Sequence, residues 1–117
     1  MNVVSIFEPG ALADVLEKAR QLLAGGWAEP FSLDAAGKLC TPEDEGVARF
    51  CFDDAMLVAA GHNAELADAA AVRVLYSREW LEASERTQLD VLRVVAHAAA
   101  RCRAESVHTY GLPGGAA

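Results

Sequence analysis

The side chains that could do chemistry in this chain are a carboxylate set in apolar sequence, three cysteines and three histidines. Asp54 stands out among them. Read as a helix from about Val47 to Ala60, its segment places Val47, Phe50, Cys51, Asp54 and Val58 on one inward stripe, with Leu57 at the margin. A charged carboxyl near the centre of that stripe needs a partner such as Arg73, or a proton. It reads either as a site residue in a cleft, or as half of a structural ion pair or a group at the rim of the core. The structural readings are the plainer ones, because ion pairs perturb carboxylates as readily as active sites do.

Cys51 with His97 and an acid would form a nucleophile and its base only if thiol and imidazole came within hydrogen-bond reach. On a helical wheel His97 shares the outward face with Asp90, Arg93 and Arg101, opposite Val95 and Cys102. A buried structural thiol and a solvated histidine are therefore expected. Cys40, Cys51, His62 and Cys102 are chemically able to bind zinc, yet they lack the spacing of about two to four residues that pairs ligands in structural zinc motifs. His108 falls in the expected tail. No glycine-rich phosphate loop, nucleophile elbow or His-Glu-x-x-His run occurs in the sequence. Catalytic residues, a metal and a cofactor are accordingly not expected.

The elements that must position these groups follow from length and pattern. The 117 residues suit one domain, expected over residues 1–107 with a flexible C-terminal tail at 108–117. Of the chain, 53% is hydrophobic but only 7% aromatic, so helices should pack closely through alanine, with few large anchors. Trp27 and Trp80 carry most of that anchoring; the alternative is that they line a small-molecule pocket.

Pro9 and Gly25-Gly26 bracket a first helix whose Leu12, Val15, Leu16, Ala19, Leu22 and Leu23 make one apolar stripe. Val3, Val4, Ile6 and Phe7 ahead of it suit a short strand or a packed arm. From Trp27 to Cys40 the helical period is lost, and Asp34-Ala35-Ala36-Gly37 reads as a turn between extended runs at Trp27 to Leu33 and Lys38 to Cys40. Thr41-Pro42-Glu43-Asp44 resembles a helix entry, while Gly46 favours a separate turn over Pro42 to Glu45 before the helix starts. Asn63 is placed to cap a third helix through Tyr76. A turn through Arg78 to Ser84 carries Trp80, and Thr87-x-x-Asp90 is a capping box for a last helix to about Ser106. The predicted fold is mainly α: a small four-helix bundle with a short β-hairpin or irregular segment, about residues 27–41, packed on it.

Several of these stretches resemble a family of small bacterial and phage-encoded proteins grouped as domain of unknown function 6197. The shared pattern is an amphipathic helix ending in Gly26-Trp27, the Asp34 to Gly37 turn, Phe50-Cys51 through Ala59-Ala60-Gly61, and then Trp80, Arg86-Thr87 and Val91-Leu92. The chain departs from it at Asp54-Ala55, where members carry Gly-Ala, and at Trp80-Leu81-Glu82, where they carry Trp-Asn-Asp. The resemblance implies an architecture and a prokaryotic or phage origin, without a reaction.

Charge narrows the function. A formal net charge of -7 argues against direct contact with nucleic acid, which needs clustered Lys and Arg. No stretch reaches the roughly 18 apolar residues of a membrane span, and Met1 to Phe7 lacks the features of a signal peptide. The odd cysteine count suits reduced thiols, so a soluble, cytoplasmic protein is expected. The expected function is a non-enzymatic protein-interaction module, with a homodimer through its alanine-rich helix faces as one arrangement, Glu43, Asp44, Glu45, Asp53 and Asp54 as binding residues and Trp27, Cys51 and Trp80 as structural anchors. Two alternatives are an accessory protein whose acidic surface occupies a host nucleic-acid-binding protein, and a small-ligand-binding protein or enzyme with a pocket near Asp54 and Cys51.

Overall fold

The structure is a computed structural model that describes residues 7–82 and 86–110. Helix α1, Pro9–Gly25, begins with proline in its first turn, where a missing N–H leaves no bond unmade. Its predicted stripe is buried at Leu12, Val15, Leu16, Ala19 and Leu23, with Ala13 beside it. The longest helix, α5 at Gln88–Tyr110, lies along α1 and buries Val91, Val94, Val95, Ala98, Ala99 and Cys102. Small side chains on this seam let the two backbones approach. Arg103 ties the pair together at the surface, donating to Asp14 at 2.8 Å and Glu17 at 2.6 Å. At the other end, the Gln88 amide donates to the Leu23 carbonyl at 2.9 Å and so satisfies a terminal acceptor of α1.

The second helix is where the sequence reading needs correction. Strand β1, Leu33–Asp34, pairs antiparallel with strand β2, Val47–Arg49, in the register Leu33 to Arg49 and Asp34 to Val47. Helix α2 therefore spans only Phe52–Ala59. Thr41 and Asp44 do make a capping-type exchange, the Asp44 carboxylate accepting the Thr41 N–H at 2.8 Å, but it closes a turn and no helix follows. Residues 47–50 instead find backbone partners across β1 and the end of α1: the Phe50 N–H donates to the Gly26 carbonyl at 2.8 Å, and the Ala28 N–H to the Phe50 carbonyl at 3.1 Å. A segment satisfied in this way has no need of helical bonds. The buried stripe of α2 becomes Phe52, Ala55 and Met56, which displaces Asp54 from its centre.

The predicted turn at Asp34 to Gly37 is present. The Asp34 side chain accepts the N–H groups of Ala36 and Lys38, each at 2.9 Å. Leu39 makes an isolated antiparallel bridge to Leu33, flanked by the Asp34 N–H donating to the Lys38 carbonyl at 2.9 Å and the Cys40 N–H to the Ser32 carbonyl at 3.1 Å, so the expected pairing across this turn is present in short form and β2 pairs with β1 beside it.

Helix α3, Ala64–Leu75, starts at Asn63, whose side chain accepts the Leu66 N–H at 3.1 Å. The α2–α3 connection turns sharply through Gly61 and His62, both left-handed at φ 65 and 63. Glycine adopts that conformation without a steric cost, while His62 is the rarer case. The short helix α4, Arg78–Glu82, stands where the sequence suggests a turn. The Thr87–Asp90 capping box opens α5, with the Asp90 carboxylate accepting the Thr87 N–H at 3.1 Å and the Thr87 hydroxyl accepting the Asp90 N–H at 3.2 Å. Helix α5 continues to Tyr110, past the expected end near Ser106; the remainder of the expected tail, 111–117, and Val3, Val4 and Ile6 lie outside the described residues.

The class is as predicted: a mainly helical bundle in which α1 touches α2, α3 and α5, with a two-stranded antiparallel sheet beside α1. Among the described residues no helix is long and apolar enough to cross a membrane.

Candidate functional site

Asp54, the carboxylate that the sequence singles out, is half-buried at the edge of α2, and its partner is Ser32. The Ser32 hydroxyl, 1% exposed, donates to Asp54 at 2.6 Å and accepts the Cys51 N–H at 3.0 Å. One side chain thus joins the segment before β1 to the start of α2. Arg73, the partner that the sequence suggests, pairs instead with Glu105 on α5. The rim reading of Asp54 holds, and the ion pair with Arg73 does not form. Ser32→Ala removes an acceptor from a buried N–H and a donor from a carboxylate, and is expected to lower the unfolding free energy by about 2 kcal/mol. Urea unfolding should show a lower midpoint at unchanged slope; an unshifted midpoint would mean that this link holds nothing.

The other chemical candidates are not brought together. Cys51 is buried at the N-terminus of α2, and burial is the main cause raising its thiol above the ordinary range. Burial likewise raises Cys102, and Cys40 is raised with Asp44, Asp34 and Asp54 adding to the effect. Thiols shifted in this direction are poor nucleophiles at neutral pH. His97 stays on the outer face of α5, with its Nδ1 2.7 Å from the Glu79 carboxylate. That hydrogen bond, followed by contributions from Arg101, holds the Glu79 carboxyl below its usual range. No cluster of three or more His, Cys, Asp or Glu able to hold a metal occurs among the described residues.

What does converge is aromatic. Trp27, Glu29, Phe52, Asp53, Leu75, Trp80 and Arg86 line a cleft of about 490 Å³. Trp27 arrives from the end of α1 through its bridge to Phe50, Phe52 and Asp53 from the first turn of α2, Leu75 from the last of α3, and Trp80 from α4. One Glu29 oxygen accepts both the Trp27 indole N–H and the Phe52 backbone N–H at 3.2 Å, fastening the Trp27 wall to the start of α2. Phe52 and Trp80 lie with ring centroids 5.1 Å apart at 41°. The Arg86 guanidinium sits over the Trp80 ring, 4.1 Å from its centroid, and donates to the Trp80 carbonyl at 2.7 Å.

Helix α4, too short to hold itself, is positioned by its neighbours. Ser77 donates to the Val74 carbonyl at 2.7 Å and accepts the Trp80 N–H at 3.3 Å. Glu79 is anchored to α5 by His97 and, at 3.5 Å, by Arg101. His97 is therefore part of the support for Trp80.

Trp27 and Trp80 each pack against the buried core, as expected of anchors, and each is also half-exposed in the lining of the cleft. Of the acidic residues expected to bind, Asp53 alone lines the cleft; it is exposed and its side chain makes no hydrogen bond or ion pair among the described residues. Glu43, Asp44 and Glu45 are exposed on the turn before β2. Glu29, Phe52, Leu75 and Arg86 were not singled out as site residues by sequence reasoning. The cleft volume falls within the range of about 300–1,000 Å³ that suits small ligands or inserted side chains. Among the described residues its lining supplies aromatic faces, two carboxylates and one guanidinium, a set that can bind and orient and that includes no thiol, hydroxyl or imidazole. No protein-family model, curated protein or solved structure matches the chain.

Proposed function

We propose that the chain is a binding module that takes a side chain of a protein partner into the cleft between Trp27, Phe52 and Trp80. One observation carries this reading: both tryptophans of an alanine-rich domain, with one of its four phenylalanines, come from separate elements to the same open concavity. Aromatic residues in such pockets dominate binding energy at protein interfaces, because they bury large area with little rotamer entropy to lose.

The test is selection from a random peptide library displayed on phage, followed by titration of the enriched peptides against the two indoles. Trp80→Ala is expected to weaken the selected peptides by about 30-fold, the scale of a hot-spot truncation. Circular dichroism establishes in parallel that the variant remains helical, and Trp27→Ala supplies a second wall substitution. Failure to enrich any peptide, or peptides that bind folded Trp80→Ala and Trp27→Ala as well as the wild type, would overturn the reading.

A further inference from the structure

We infer that the side chain recognised by the cleft is a partner's arginine, and that Arg86 is the chain's own stand-in for it on the Trp80 face. The inference rests on the reading of the cleft as a docking site and adds the chemistry of the occupant. Its first support is the contact itself: a guanidinium 4.1 Å above an indole is a cation–π arrangement, so this face accepts a planar cation in stacking geometry. Arg86 and Trp80 both line the cleft, which places the arrangement inside the proposed binding surface.

The second support is how Arg86 is held. Arg73, Arg78, Arg93, Arg101 and Arg103 each have a carboxylate partner, whereas Arg86, like Arg20 and Arg49, has none among the described residues, and of these three it alone is placed in the cleft lining. Among the described residues its guanidinium makes one hydrogen bond, to the Trp80 main-chain carbonyl. A guanidinium without an ion pair, on an exposed residue, is displaceable at small cost.

Charge supplies the third. Glu29 and Asp53 share the lining with Arg86, and Asp53 has no cationic partner among the described residues. A cation entering the cleft meets Asp53, while an anion drawn to Arg86 meets two carboxylates nearby. The formal net charge of -7 adds a long-range attraction for basic partners. An incoming arginine that took the Trp80 face and paired with Asp53 would satisfy both groups, and Arg86 would move out to solvent.

A displaceable internal occupant lowers apparent affinity by the fraction of molecules in which the face is free. Removing it must therefore tighten binding, which is the opposite of what loss of a contact residue does. The probe is the blocked tripeptide acetyl-Gly-Arg-Gly-amide, titrated against the wild type, Arg86→Ala, Arg86→Gln and Asp53→Asn, with the indole N–H resonances of Trp27 and Trp80 as the readout. Both Arg86 variants are expected to bind about two- to fivefold more tightly than the wild type, the scale of one exposed cation–π contact. Asp53→Asn should weaken binding, and the uncharged citrulline analogue should bind none of the four.

Equal or weaker binding by the Arg86 variants overturns the inference, as does an absence of binding by all four proteins. Tight binding of the glutamate analogue to the wild type, lost in Arg86→Ala, would assign Arg86 to an anion instead. If library selection yields Trp80-dependent peptides that lack arginine, the docking reading stands and this one falls.

Discussion

Leu16→Ala is expected to lower the unfolding free energy by about 2–5 kcal/mol, toward the upper end of that range. Leu16 is fully buried in the middle of α1, the helix that contacts α2, α3 and α5. Truncation removes transfer energy and leaves a cavity whose cost depends on how far the surroundings can collapse into it. Here they have little with which to do so. Much of the core is alanine, at positions 13, 19, 55, 60, 67, 70, 71, 98 and 99, and an alanine has no side chain to swing into a void. Against a typical total of about 5–15 kcal/mol, such a loss removes a third or more of the stability of the domain. Guanidinium unfolding followed by helical circular dichroism gives the value directly. A loss below about 1 kcal/mol would show that the core repacks freely, contrary to its close-packed alanine seams.

The helices α1, α3 and α5 were legible in the sequence because each carries its instructions locally. Pro9 marks one start, Asn63 and Thr87 cap two others, and the apolar positions recur at helical spacing through Leu12 to Leu23 and Val91 to Cys102. The segment from Val47 to Phe50 misleads for the same reason. Val47, Phe50, Cys51, Asp54 and Val58 happen to fit a helical stripe, while the partners that draw residues 47–50 into extended pairing are Leu33, Asp34, Gly26 and Ala28, all distant in sequence. No local pattern announces them.

The site divides along the same line. Trp27 and Trp80 could be noticed because large aromatic side chains are rare here, although their rarity argued for packing. The cleft exists only once α2 begins at Phe52, so a reading that ran the helix from Val47 buried Asp54 and missed Phe52 together. Glu29 and Arg86 stand in stretches without periodicity, and their roles follow from contacts across 23 and 6 residues.

Gly26→Ala tests the step from fold to cleft and should cost about 3 kcal/mol, at the high end for overpacking because the obstacle is backbone. A Cβ at Gly26 would lie 2.3 Å from the Ala48 carbonyl oxygen and 3.2 Å from the Arg49 Cγ. The Arg49 side chain can turn away, but the carbonyl belongs to β2 and moves only with the strand. Moving β2 strains the bond from the Phe50 N–H to the Gly26 carbonyl and that from the Ala28 N–H to the Phe50 carbonyl. Those two bonds hold Trp27 beside Phe50, two residues before the cleft residue Phe52. The substitution should therefore act twice, lowering the unfolding midpoint and, under conditions where the variant is folded, weakening the peptides selected by the cleft. Gly25→Ala is the control: the same methyl group one residue earlier meets nothing within 4 Å, and alanine in a helix is favoured over glycine by about 0.5–1 kcal/mol. That variant should be as stable as the wild type or more so, with binding unchanged. If Gly26→Ala lost stability but bound the selected peptides like the wild type, the Trp27 wall would not depend on the α1–β2 contact, and the cleft would owe its form to α2 and α4 alone.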